Sequence, residues 1–169
     1  VHHVTHLFNA MPAFTHREPG VVGAVFEDDH ATAELICDGI HIHPAVIRTV
    51  FKTLGYDRVC LISDSMCAAG LPDGKYHLGG QEVFVKDGAA RLANGALAGS
   101  STNLFQCMRN VHSFGIPFEM AVKAASLNPA RAIGVDNVTG SIKEGKNADL
   151  VVLDEHLDPA HVFVRGKQI

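Results

Sequence analysis

The stretch from Ala33 to Asp64 can fold in very few ways. AELIC (33–37) and RVCLI (58–62) are short runs of aliphatic residues and cysteine, which suits strands buried on both faces of a parallel sheet. Between them Pro44 can take a first helical position, and Val46, Ile47, Val50, Phe51 and Leu54 form an apolar stripe that Gly55 closes. Strand, helix and strand with tight joins make a βαβ unit, so the expected class is α/β. An earlier run, Val1 to Leu7, alternates in polarity and predicts a further strand.

The style changes after Asp64. Residues 70–99 are rich in Gly, with short β-like pieces and a turn at Lys86-Asp87-Gly88 between EVFV and AARL. Ser100 or Ser101 is the expected cap of a helix carrying Leu104, Met108 and Val111 on one face and closed by Gly115. Pro117 starts the next helix, through Met120, Val122, Ala124 and Ala125, with Asn128-Pro129 expected to interrupt it before a turn ending at Gly134. The tail predicts a turn at Glu144-Gly145-Lys146 and strands at 149–153 and 161–165.

Polar residues fall in a regular place. His6, then Asp38 with His41, then Asp64 each sit at or just past the C-terminal end of an expected parallel strand. In α/β barrels catalytic groups collect on that rim, because the loops there converge on one opening. Each residue alone is a weak signal. A single His in an apolar run is more often a hydrogen-bonded core residue, Asp64 could cap a helix, and Asp38-Gly39 could be a plain turn. Together they offer a metal ligand and a general base around one water, although a hydrolytic metal site takes about three protein ligands. Alternation places His2 and His6 on one face and His3 on the other; His41 and His43 form an H-x-H pair, with His43 read as a surface residue beside Pro44.

Other classes are disfavoured. A net charge of −4, with Lys and Arg scattered, argues against nucleic-acid binding. No run of apolar residues is long enough for a membrane span, and no signal segment opens the chain. The four cysteines form no C-x-x-C pair, and Cys37 and Cys60 lie in apolar runs as buried free thiols do. A reducing cytoplasm is the expected compartment. The chain opens VHHVTHLFNAM without an initiator Met, which reads as a cut into something larger.

THLFNAM (5–11), the arginine of HREPG (16–20), DGIH (38–41), SDSM (63–66) and LAGSS (97–101), in this order and spacing, resemble the N-acetylglucosamine-6-phosphate deacetylases. NPARAIGV and GSIKEGKNADLVVLD resemble the amidohydrolase superfamily more widely. The resemblance implies the C-terminal part of a metal-dependent hydrolase (β/α)8 TIM barrel over 1–134, with a β-rich insertion at about 70–99 and the C-terminal strands of a small β-sandwich over 135–169. Carried over by position, His6 becomes a ligand of a divalent metal, zinc first and iron or manganese as alternatives. Asp64 becomes the catalytic acid/base. Asn9 and Ala10 contact the sugar phosphate and Arg17 anchors its phosphate, as a guanidinium can do bidentately. Asp38, Gly39, Ile40 and His41 line the substrate site, and Leu97, Ala98 and Gly99 form a substrate-facing edge where Gly99 allows close approach.

The remaining metal ligands of the resembled family, a Glu and a second His, fall upstream of THLFNAM. The expected function is therefore that of a longer parent, with this chain expected to be inactive alone: deacetylation of N-acetylglucosamine 6-phosphate to glucosamine 6-phosphate and acetate, in a homodimer that needs the N-terminal half. Readings from other classes are a different amidohydrolase acting on a cyclic or linear amide (dihydroorotase- or imidazolonepropionase-like), an inactive fragment, and a non-catalytic sugar-phosphate-binding module.

Overall fold

A computed structural model describes residues 2–169. Strands β1 (His3–Val4), β2 (Thr32–Ile36) and β3 (Val59–Ile62) form a parallel sheet in that order. The crossovers carry α1 (Gly20–Glu27) and α2 (Pro44–Leu54), so the unit read from 33–64 is present and gains a preceding βα step. Pro44 opens α2, the His43 ring accepts from the Ala45 amide at 3.1 Å, and Gly55 ends the helix at φ +73°. His43 is thus an exposed cap.

Side-chain alternation sorts the sheet into two faces. Ala33, Leu35, Val59 and Leu61 join Ile47, Val50, Phe51 and Leu54 of α2 in the main core. The opposite face carries His3, whose Nδ1 meets Thr32 Oγ1 at 2.6 Å and whose Nε2 meets Glu34 Oε1 at 2.8 Å. Cys37, Cys60 and Cys107 are buried free thiols. Burial pushes Cys60 and Cys107 up to about 11 and Cys37 well above its ordinary value, so they pack as small apolar groups.

Beyond the parallel sheet, β4 (Gly74–Leu78), β5 (Gln81–Lys86) and β6 (Ala89–Leu92) form an antiparallel meander around Met66, Ala68, Val83, Val85, Ala90 and Ala98. Helices α3 (Leu104–Ser113), α4 (Phe118–Ala125) and α5 (Leu127–Ala132) follow, then β7 (Leu150–Leu153), β8 (Pro159–Val164) and β9 (Lys167–Gln168) as a second antiparallel sheet. No helix among the described residues is long and apolar enough to cross a membrane.

Four expectations need correction. The strand expected over 1–7 is two residues long, and its first position, Val1, lies outside the described residues. The chain turns from Thr5, with Asn9 N donating to His6 O at 2.9 Å, so strand alternation does not reach His6 and its pairing with His2 on one face fails. The cap of α3 is Asn103, whose side chain accepts from the Gln106 amide at 2.8 Å; Ser100 and Ser101 instead bond Ser63 O and Gly88 O. The helical break falls at Ser126, and Asn128-Pro129 lies in the first turn of α5, where proline's missing N–H is harmless. Asn128 Nδ2 donates to Tyr56 O at 2.8 Å and Val59 O at 2.7 Å, tying α5 to the start of β3. Finally, β8 begins at Pro159 and β9 adds a strand the sequence did not suggest.

Candidate active site at the strand ends

The three parallel strands run the same way, so the segments after Val4, Ile36 and Ile62 emerge on one rim. Neighbouring strands lie about 4.8 Å apart, which separates the ends of β1 and β3 by roughly 10 Å across β2. The first of these segments holds His6, Phe8 and Ala10, all with left-handed backbone at φ +35°, +76° and +55°. Asp64, past β3, has φ +47°. Non-glycine residues rarely adopt this region, and such strain concentrates at functional sites. Leu7, between these turns, is fully buried and its amide donates to Glu34 O at 2.9 Å. That anchor holds the turn against β2.

The His6 ring is half-buried, and its Nδ1 is buried without a hydrogen-bond partner. A satisfied core histidine would bond that atom, whereas His6 Nδ1 is left open to another partner. An unpartnered imidazole nitrogen fits a cation ligand. Among the described residues no group of three or more His, Cys, Asp and Glu could hold a metal ion together. His6 could offer one donor toward the roughly three that a hydrolytic metal takes.

Asp64 is exposed and caps no helix. Its carbonyl accepts from the Ser100 amide at 2.9 Å, and the Met66 amide donates to Ser100 O at 2.9 Å, making a parallel bridge between Ser65 and Ser100. This fourth parallel position brings Gly99 beside Asp64, while Ala98 N donates to Ala90 O at 3.1 Å on the meander side. A Cβ on Gly99 would meet Asp64 O at 3.2 Å, and Gly99 has φ +65°, so both space and backbone favour glycine there. The Arg91–Leu97 bridge joins the same segment to the meander.

Asp38 and His41 meet after β2, with Oδ2 and Nδ1 2.6 Å apart. Burial raises the Asp38 carboxyl, but the His41 ring and the amides of His41 and Ile40 outweigh it and leave the group below its ordinary value. Gly39 turns the chain at φ +81° and Ile40 is exposed. His41 shares a cavity of about 460 Å³ with Phe8, Phe14, Phe26 and the start of α2, so the turn after β1 and the loop after β2 line one space. Asn9 Nδ2 donates to His6 O and Leu7 O, both at 3.3 Å. Ala10 is exposed beside it. Arg17 is exposed on the loop before α1, and no described contact brings it to the other site residues.

Sequence reasoning missed α1, whose two glycines blur its apolar period, and the non-local bridge at Ser100. It also missed Asn110 of α3, which donates to Cys37 O at 3.1 Å behind the Asp38 loop. The Asn103-x-x-Gln106 spacing was a usable signal for the true cap.

A profile of the amidohydrolase family matches residues 1–169. An Escherichia coli (strain K12) protein provisionally named N-acetylgalactosamine-6-phosphate deacetylase is 44% identical over 163 residues, 96% of this chain and 97% of that protein. The N-acetylglucosamine-6-phosphate deacetylase of Lysinibacillus sphaericus is 44% identical over 154 residues, 90% of this chain but 40% of its own length. The structure of a mutant N-acetyl-D-glucosamine-6-phosphate deacetylase from Mycobacterium smegmatis, in complex with N-acetyl-D-glucosamine 6-phosphate, superimposes with a TM-score of 0.91 at 41% identity. That superposition covers 98% of this chain and 45% of the relative, so the chain spans less than half the length of this solved relative. A full-length profile match and relatives of this identity place the sequence plainly: the chain belongs to the amidohydrolase family of TIM-barrel hydrolases.

Proposed function

We propose that the protein hydrolyses the acetamide of an N-acetylhexosamine 6-phosphate, releasing acetate and the amino-sugar phosphate. The reading assigns residues 1–134 to the C-terminal part of the barrel, with the meander as an insertion, and 135–169 to a β-sandwich portion. The observation that carries it is the pair of strained strand-end residues, His6 with its unpartnered buried nitrogen and Asp64 with its exposed carboxylate. They are a ligand and a base, on strands separated by one.

His6 is the residue of this chain that would hold a divalent cation, zinc first and iron or manganese next, with upstream residues completing the set. The cation supplies Lewis acidity toward the acetamide carbonyl and toward water. Asp64 accepts the proton that the attacking water loses and returns it to the departing amine nitrogen. Arg17 holds the phosphate as a guanidinium fork, joined by the Asn9 and Ala10 segment. Leu97–Gly99 flank the sugar, and His41 contacts it. The same reading places the enzyme in the cytoplasm as a homodimer.

N-acetylglucosamine 6-phosphate is the first substrate to test. The galacto epimer is the second, because the relative matched over 97% of its own length carries that name. The test is acetate release by the protein carrying the upstream residues that complete the metal set, supplied in turn with zinc, manganese and ferrous iron, from both epimers and from unphosphorylated N-acetylglucosamine. Release from a phosphorylated sugar, abolished in Asp64→Asn, supports the reading. No release with any metal, or equal turnover of phosphorylated and free sugar, overturns it.

A further inference from the structure

Asp38 and His41 are the most enclosed polar pair at the strand ends, with side chains 6% and 5% exposed. Each hydrogen bond that Asp38 accepts comes from its own loop. Oδ1 accepts from the amides of Ile40 and His41, both at 2.9 Å, and Oδ2 accepts from His41 Nδ1 at 2.6 Å. The loop is braced from behind. Asn110 holds Cys37 O at 3.1 Å, Phe114 lies 3.4 Å from where a Cβ on Gly39 would sit, and Arg48 donates to Phe114 O at 3.2 Å. A carboxylate committed in this way has little left for a ligand.

Its effect passes to the ring. An ionised carboxylate only accepts, so His41 Nδ1 must carry the proton, and a neutral imidazole then has its lone pair on Nε2. Nδ1 is the ring nitrogen that bonds within the protein, and the ring borders the cavity lined by Phe8, Phe14 and Phe26. We propose that Asp38 is a positioning residue that holds His41 as the Nδ1–H tautomer, leaving Nε2 to accept a hydrogen bond from a hydroxyl of the bound sugar. The proposal rests on the sugar-phosphate reading for its ligand but not for its tautomer.

Asp38→Asn separates this role from a merely structural one. The asparagine keeps an oxygen for the Ile40 and His41 amides but sets an NH2 against Nδ1, which must then accept, and the ring proton moves to Nε2. In ¹⁵N–¹H correlation spectra at about pH 8, where an ordinary imidazole is neutral, His41 is identified by the signals lost in His41→Gln. The parent protein is expected to show Nδ1–H and Asp38→Asn to show Nε2–H. With N-acetylglucosamine 6-phosphate, Asp38→Asn should raise KM about ten-fold or more while kcat stays within about three-fold. An Nε2–H or doubly protonated ring in the parent overturns the proposal, as does an inverted tautomer with unchanged KM. The parent spectrum needs neither variant nor substrate. It decides the tautomer even if Asp38→Asn fails to fold, and a parent without deacetylase activity would instead count against the proposed reaction.

Discussion

In β2 and β3 the residues facing the helices, Ala33, Leu35, Val59 and Leu61, are at most 1% exposed, whereas no described residue after Ala130 is buried. The first region makes its own core, with α2 and α4 closing over the sheet. The tail sheet β7–β9 is held by its ladder, by a local turn and by the Arg109–Asp158 ion pair to α3. None of its apolar residues is buried, and Val151 stands 53% and Val164 47% exposed. The candidate strand-end residues sit on the region that excludes water by itself. The tail sheet is defined by hydrogen bonds that water can compete for, so its local opening should be easier.

Truncating one apolar residue on each side gives the largest contrast. Leu35→Ala should destabilise by about 2–5 kcal/mol, because it leaves a cavity in a closed core. Val151→Ala should stay within about 0.5 kcal/mol, as surface changes do. Denaturant unfolding of both variants checks this, and equal losses would erase the distinction. Within the tail, Lys146 Nζ donates to Asp136 O, Thr139 O and Ser141 Oγ and gathers the turn that leads into β7. Lys146→Met should cost about 1–3 kcal/mol and speed amide exchange in β7 and β8 while leaving β2 and β3 unchanged. Faster exchange in β2 would mean the regions open together.

On the strand-end side, Gly99→Ala should destabilise by about 1–2 kcal/mol, since an L-residue must adopt left-handed backbone there. Its new methyl presses on Asp64 O, so activity should fall more than stability alone explains. The smallest effect is the pH response of Asp38. Its folded carboxyl titrates below the ordinary value, so ionisation favours the fold. That contribution is complete above the unfolded value of about 3.9 and disappears as pH falls through the folded one. Thermal melting of the parent should therefore weaken across that acid window more than melting of Asp38→Asn does. Parallel curves would show that the pair adds nothing to stability.

Much of the strand-end region was legible because burial writes itself into the chain as apolar runs with polar stops. His6, Asp38 and Asp64 stand where those runs end, and Pro44 and Gly55 bracket the helix between. The left-handed backbone at His6 and Asp64 was not legible, since nothing in their side chains asks for it and packing around Leu7 and Ser100 imposes it. The Ser65–Ser100 pairing spans too many residues for any local pattern to announce. The Asp38–His41 contact was anticipated as a cluster, but the direction of its hydrogen bonds required coordinates. In the tail, β7 was visible from LVVL, while β9 is too short to leave a periodic trace.

The Ser65–Ser100 bridge also decides how freely the meander can vary. The chain leaves the parallel sheet at Ser65 and rejoins it at Ser100, so everything between is a loop whose two ends touch. The entropy of closing such a loop grows only with the logarithm of its length. The β4–β6 segment can therefore be lengthened, shortened or exchanged at its tips while the clasp keeps Asp64 and Gly99 side by side, which makes it the natural site for grafting new sequence onto this scaffold.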